Sequence, residues 1–170
     1  LKQALPEGKR LFIFRPCMIH GPGNKGNLNL LYKVVKKGVP YPLGAFENQR
    51  SFLSIDNLLF VIKTILTDPS VAGGIYNLAD DSPLSTTEVI KIIGMASHRK
   101  PHIWRTPVAL VNLLAKVGDL LSLPLNRERL QKLTESYVVD NAKIKAALGI
   151  TTLPTAAKDG LLKTIESFEN

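Results

Sequence analysis

Apolar and polar positions along this chain switch repeatedly between two periods. Leu11-Phe12-Ile13-Phe14 is a continuous apolar run flanked by Arg10 and Arg15. A short run rich in aromatic and β-branched residues predicts a strand buried on both faces, as in a parallel sheet. Pro16 has no N–H to give to a ladder and predicts the end of that strand. Gly74–Leu78 reads as a second strand and Ser51–Ser54 as a short one. Between them the spacing becomes helical. Asn27 or Asn29 can cap a helix running to about Lys37 and closed by Gly38. Asp56 or Asn57 opens a helix over Leu58–Thr67, nearly all apolar and therefore predicted to be well buried. Ser85-Thr86-Thr87-Glu88 is a capping box, with Val89, Ile92, Ile93 and Ala96 following at helical spacing. Pro107 suits the first turn of a helix over Val108–Leu123. That segment holds Asn112, Lys116 and Asp119, so a half-buried amphipathic helix is predicted, with contact to a membrane surface as the alternative. Helices over about Arg127–Leu133, over Asn141–Leu148 (closed by Gly149) and from a Thr155 cap to Phe168 complete the set. His102–Arg105 and Tyr137–Val139 read as extended.

Length permits one domain with a substantial core: 170 residues, 45% hydrophobic, mean hydropathy +0.07. No apolar run is long enough to cross a bilayer. The single cysteine, Cys17, excludes an internal disulfide and fits a reducing, cytoplasmic setting. Cysteine and three scattered histidines give no metal-ligand spacing. A net charge of +8 suggests anionic partners. The Lys and Arg residues are spread out and accompany no nucleic-acid-binding motif, which favours a solvated basic face together with a diphosphate-bearing ligand over nucleic acid.

Candidate chemistry concentrates after the first strand, in Arg15-Pro16-Cys17-Met18-Ile19-His20-Gly21-Pro22-Gly23. Ligands of α/β sheets sit just outside the carboxyl ends of strands, so this loop is placed for a site. Cys17 has no base beside it in sequence and reads as a packing residue rather than a nucleophile. A Gly-rich dinucleotide fingerprint between a strand and a helix is absent from the sequence.

The order of several blocks carries a resemblance. Strand, Arg-Pro, three residues, a ring side chain and Gly-Pro-Gly is followed by Asn27-Leu28. Then come Arg50-Ser51-Phe52-Leu53-Ser54-Ile55-Asp56-Asn57, Gly74-Ile75-Tyr76-Asn77-Leu78, and Val139-Asp140-Asn141-Ala142-Lys143 with Leu148-Gly149. Together they cover nearly the whole chain. The set resembles the extended short-chain dehydrogenase/reductases, the NAD-dependent epimerase/dehydratases, and most of all their UDP-glucose 4-epimerase-like members. His20 stands where that family usually has Tyr.

The resemblance implies an α/β fold: the C-terminal part of a Rossmann-type extended short-chain dehydrogenase/reductase with its smaller, mainly helical substrate-binding subdomain. Residues 11–23 and 74–78 would be the last strands of the Rossmann sheet, and 24–57 and 80–170 mostly the substrate subdomain. Residues 1–5 read as a helix tail stopped by Pro6 and Gly8, with no initiator Met. The chain is therefore expected to be the C-terminal portion of a longer epimerase, inactive by itself. The family's catalytic Tyr-x-x-x-Lys pair is expected upstream of Leu1, so no catalytic residue is assigned here. Tyr32 and Lys36 have the right spacing but follow the Arg-Pro strand instead of preceding it, and read as an exposed helix face.

By the same resemblance Pro16, Cys17, Met18 and Ile19 would line the nicotinamide end of an NAD site held mainly by the absent half. His20 would reach a phosphate or sugar, or bond to backbone. Asn27 and Leu28 would meet the sugar nucleotide at a helix start. Tyr41 and Leu43 would cradle uracil. Arg50 would grip the diphosphate, where a guanidinium fork can pair two oxygens at once. Arg129 would be a second phosphate or ribose contact. The implied partner is a UDP-sugar, and a homodimer is compatible with the resemblance. The rival within the family is another NAD(P)-dependent sugar-nucleotide dehydratase or reductase. The rivals outside it are a non-catalytic sugar-nucleotide-binding domain and a basic nucleic-acid-binding module.

Overall fold

One extended stretch is shared between two sheets. β1 (Phe12–Pro16) and β2 (Met18–His20) are separated only by Cys17. A computed structural model describes Pro6, residues 8–120 and residues 127–169, with the side chains of Gly118, Leu120 and Arg129 excepted. The helix tail expected at residues 1–5 lies outside the described residues. β2 pairs in parallel with β3 (Phe52–Ser54), Met18 opposite Phe52 and His20 opposite Ser54. β1 pairs in parallel with β4 (Gly74–Leu78), Phe12 opposite Gly74 and Pro16 opposite Leu78. Pro16 is the last residue of β1, as its missing N–H requires. The chain does not become a loop there: the Cys17 amide donates to Leu78 O at 3.1 Å and the next residues join the other sheet.

Parallel pairing demands crossovers, and helices supply them. α1 (Asn27–Lys36) links β2 to β3, and α2 (Ile55–Thr67) links β3 to β4. After β4 the chain is helical: α3 (Thr86–Ala96), α4 (Val108–Leu120), α5 (Arg127–Thr134), α6 (Ala142–Leu148) and α7 (Ala157–Glu166). The end of the predicted Val108–Leu123 helix lies outside the described residues. The extended segments also meet. Tyr41 bridges Ile103, Leu43 bridges Arg105, and Arg50 bridges both Leu84 and Tyr137.

Caps show where local reading succeeds. The Ser85–Glu88 capping box forms in full. Gly149 takes the left-handed conformation, φ 66°, that closes α6. The cap of α2 is Ser54, two or three residues earlier than the Asp56 or Asn57 expected, with its side chain accepting from the Asn57 amide. Asn57 is thereby free for the interior. Thr155 is not a cap either: Ala156 precedes α7, and the Thr155 amide donates to Asn57 Oδ1 at 3.0 Å. Gly26 precedes α1 without a side-chain cap.

Three apolar clusters hold these elements. The first joins α1, β3, α3 and α7 through buried Leu28, Phe52, Val89, Ile93, Leu161 and Ile165. The second lies between β4, α2 and α6, around Leu53, Val61, Tyr76, Leu78 and Ile144. The third is small, Leu43, Val111, Ala115 and Leu130, and ties α4 and α5 to the 41–46 loop.

Candidate functional site

A groove of about 370 Å³ opens where the 41–50 loop passes between α1 and α5. Its walls include Asn27, Leu28, Tyr41 and Arg50, four residues spread over 24 positions of sequence, with Met18, Phe52 and Leu133 beside them. Each is placed by a local element. Asn27 and Leu28 are the first two residues of α1. Tyr41 is fixed by its amide donating to His102 O at 2.8 Å and its carbonyl accepting from the Trp104 amide at 2.9 Å. Arg50 is pinned by a reciprocal backbone pair with Leu84, both bonds 2.9 Å.

The Arg50 guanidinium bends over the rim. Its Nη2 donates to Lys132 O on α5, and its Nε is buried with no hydrogen-bond partner among the described residues. A buried, unsatisfied donor on a permanently charged side chain is costly unless an acceptor arrives, so the geometry suits an anion. Burial pushes the Tyr41 phenol up, against the opposing influence of Thr86 and of the Arg50 charge. Tyr41 therefore presents a neutral ring and hydroxyl at neutral pH. With Leu28 and Phe52 it makes a flat, apolar wall beside a single cation.

Two expected contacts lie elsewhere. His20 is 1% exposed and turned inward. The Thr164 hydroxyl donates to Gly160 O, so it accepts from His20 Nδ1, 2.9 Å away. The ring stands edge-on to Phe52 and leaves no face for a ligand. Alternation along β2 explains this: Met18 and His20 share one side, and α7 covers the His20 end. Leu43 belongs to the third cluster and is absent from the groove wall; it bridges Arg105 and packs on Val111 and Ala115. The backbone of Arg129 lies in α5, and its side chain lies outside the described residues.

On the strand side, Met18 and Ile19 are 37% and 38% exposed at the carboxyl end of β1. Cys17 is half-buried. Burial, reinforced by the Asp80 charge, pushes its thiol up to about 12. It is a thiol at neutral pH and a poor nucleophile.

Beneath the groove sits a buried polar network that the sequence reading passed over. Asp80, 3% exposed just after β4, accepts from the Ser54 amide at 3.0 Å and from Asn57 Nδ2 at 2.7 Å. Asn57 also donates to Thr155 O at 2.8 Å. His20 Nε2 lies 3.7 Å from Asp80 Oδ2 and has no hydrogen-bond partner among the described residues. The network ties β2, β3, α2 and the entry of α7 to one carboxylate. The sequence signal was the Asp80-Asp81 pair at the end of a strand. Asp81 anchors α6 and the following turn: it accepts from Lys145 Nζ, Asn141 Nδ2 and the Leu153 amide.

No protein-family model matches the chain. Individual proteins do. A UDP-glucose 4-epimerase of Vibrio cholerae is 30% identical over 159 residues, which cover 92% of this chain and 46% of the relative. The chain thus spans about half the length of the curated relatives it matches. Among solved structures, UDP-N-acetylglucosamine 4-epimerase from Bacillus cereus superposes with a TM-score of 0.63 over 95% of this chain and 49% of its own, at 16% identity. UDP-glucose 4-epimerase of Thermus thermophilus, in complex with NAD, gives 0.61 over 96% and 48%, at 17% identity. The chain is thus similar to about half of a UDP-glucose 4-epimerase in sequence, and it shares the fold of these nucleotide-sugar epimerase structures. Its two parallel strand pairs, crossed by helices, are part of that Rossmann-type α/β architecture.

The chain holds one Tyr-x-x-x-Lys spacing, set aside above as a helix face. Tyr32 and Lys36 form such a pair, Lys36 Nζ donating to the Tyr32 hydroxyl at 3.0 Å. The hydroxyl in turn donates to Glu169 Oε1, and Tyr32 is 4% exposed against Phe168. Tyr32 is thus a core residue and not the exposed position expected. Its oxygen faces α7's end and away from the groove wall. The pair is structural.

Proposed function

We propose that this chain is the substrate-binding, C-terminal half of an NAD-dependent nucleotide-sugar epimerase acting on a UDP-hexose at C4. The observation that carries the reading is the gathering of Asn27, Leu28, Tyr41 and Arg50 around one groove, with a buried Arg50 Nε that lacks an acceptor. Arg50 holds the diphosphate through two parallel N–H bonds, moving off Lys132 O to do so. Asn27, at the start of α1, offers its amide and the helix's positive end to the sugar-phosphate. The Tyr41 ring and Leu28 form the apolar floor for the base.

The residues present fit only the nicotinamide end of NAD. Met18 and Ile19 give it an exposed apolar surface, whereas the Gly-rich cradle for its diphosphate is not in this sequence. Bound there, NAD supplies reversible hydride acceptance from the sugar carbon. Met18, Ile19 and Pro16 keep water from that exchange, and Arg50 keeps the nucleotide fixed while the sugar turns. The acid/base pair and most of the cofactor site belong, in this reading, to residues preceding Leu1, so the chain alone binds without turning over. A dehydratase or reductase would use the same groove.

Calorimetric titration with UDP and UDP-glucose tests the reading. Selective binding of both over ADP is expected, weakened at least ~10-fold in Arg50→Ala, about the effect of losing a charge-assisted pair. Equal affinity for ADP and UDP, untouched by Arg50→Ala, would sink the site assignment.

A further inference from the structure

A buried amide stands behind the groove wall and holds two helix ends at once. Asn48 lies in the 41–50 loop, two residues before Arg50, and is 2% exposed. Its Oδ1 accepts from the Thr86 amide at 3.1 Å. Its Nδ2 donates to the Thr86 hydroxyl at 2.9 Å and to the Leu133 carbonyl at 3.3 Å. Thr86 is the first residue of α3, and Leu133 is the last but one of α5. Helix ends carry backbone groups with no partner inside the helix, amides at the start and carbonyls at the finish. One primary amide serves both kinds, because it combines an acceptor with two donors.

Arg50 uses the same helix end. Its Nη2 donates to Lys132 O, the carbonyl next to the one that Asn48 holds. The negative partial charge at the carboxyl end of a helix favours a cation there. Thr86 and Leu133 line the groove together with Arg50, while Asn48 stands outside that lining. With its oxygen and both N–H bonds engaged, Asn48 acts through its neighbours.

We infer that Asn48 is a positioning residue for the groove. It fixes the start of α3 and the end of α5, so that the Arg50 guanidinium rests on Lys132 O and can exchange that carbonyl for a phosphate oxygen. The identity of the ligand rests on the nucleotide-sugar reading proposed above; the placement of Arg50 does not. A plain cap of α3 would ask for less. It needs only an acceptor, and an aspartate supplies one with a charge that suits the start of a helix. Holding Leu133 O needs a donor. Asn48→Asp keeps the side chain's shape and the acceptor while removing the donors, so it separates the two roles.

Asn48→Asp and Asn48→Ala are compared with the parent chain and with Asn141→Ala. Asn141 is also buried, and its Nδ2 donates to Ala79 O and Asp81 Oδ1, neither of which lines the groove. Its variant therefore reports the general effect of losing a buried amide. Circular dichroism and urea midpoints select the folded variants; should Asn48→Ala unfold, the near-isosteric Asn48→Asp carries the test. Two quantities are read: calorimetric titration with UDP, and the Arg50 Nε–H cross-peak in a nitrogen-edited NMR spectrum recorded without UDP. Affinity for UDP should fall at least ~10-fold in both Asn48 variants and stay within ~2-fold in Asn141→Ala. The Arg50 Nε–H should move in Asn48→Asp and hold its place in Asn141→Ala. In an Arg50→Ala background Asn48→Asp should weaken UDP less than ~3-fold further, because changes acting through one contact do not add.

Four results overturn the proposal: a folded Asn48→Asp that binds UDP like the parent, an unmoved Arg50 Nε–H, an undiminished loss in the Arg50→Ala background, or an equal loss in Asn141→Ala. Failure of the nucleotide-sugar reading looks different. The parent chain itself then ignores UDP, while Asn48→Asp still moves the Arg50 Nε–H.

Discussion

α3 and α4 have similar lengths and similarly apolar sequences, and they end in opposite situations. In α3 Val89, Ile90, Ile92 and Ile93 are all at most 3% exposed, enclosed by α1, β3 and α7. In α4 the wider apolar stripe faces solvent and, among its described side chains, only Val111 and Ala115 are covered. Periodicity states that a face must be covered and is silent about what covers it. For α3 the cover is the rest of this fold. For α4 the described part of this fold leaves the wider stripe open.

Substitutions break the comparison open, beginning with the enclosed side. Ile93→Ala should cost about 2–5 kcal/mol, the usual range for emptying a buried aliphatic site, read as a lower urea midpoint. Gly160→Val comes next. A Cβ at Gly160 would stand 2.8 Å from Ser54 Cβ, so α7 must shift off β3, at about 1–3 kcal/mol. Asp80→Asn should cost about 1–3 kcal/mol, because the Ser54 amide or Asn57 Nδ2 loses a charged acceptor. On the open side Leu114→Ser should stay within about 0.5 kcal/mol of the parent chain. A large loss there would mean that α4 is covered in solution.

Acid adds a gentler probe of the enclosed side. Burial alone would raise the Asp81 carboxyl, but hydrogen bonds from Lys145, the Leu153 amide and Asn141 outweigh it and hold it below the ordinary range. Bonds from the Ser85 amide and hydroxyl likewise lower Glu88. A carboxyl with a depressed folded-state value contributes stability that is complete above its unfolded value, near pH ~4, and fades as pH falls through the folded one. Urea midpoints should therefore hold from neutral pH to about 5 and decline below ~4, and Asp81→Asn should flatten that decline.

The sequence already revealed what depends on neighbours in the chain. The strands, the Ser85–Glu88 box, the Gly149 closure and the gathering of residues about Arg50 all follow from local spacing or ordered blocks. What it hid depends on distance. Asn57 looks like a cap until Ser54 takes that role and Asp80, 23 residues on, draws its amide inward. His20 looks like a loop ligand until Thr164, 144 residues away, meets its ring. Leu43 looks like part of the groove until α4 arrives behind it. α4 reads as a half-buried amphipathic helix and is one, with Val111 and Ala115 inside and Leu110, Leu113, Leu114 and Val117 outside. Local sequence encodes which groups need a partner, and tertiary structure assigns one.

The position of α7 has a consequence for how the protein is made. Leu161 and Ile165 complete the cluster that begins with Leu28, and Thr164 meets His20 from the same helix. A nascent chain emerges from its amino end, so Phe52, Val89 and Ile93 must wait, uncovered, until α7 has left the ribosome. Both strand pairings among the described residues are also between distant segments, which slows closure further. Chains interrupted before residue 157 should accumulate as aggregates, with chaperones guarding the intact chain during that interval.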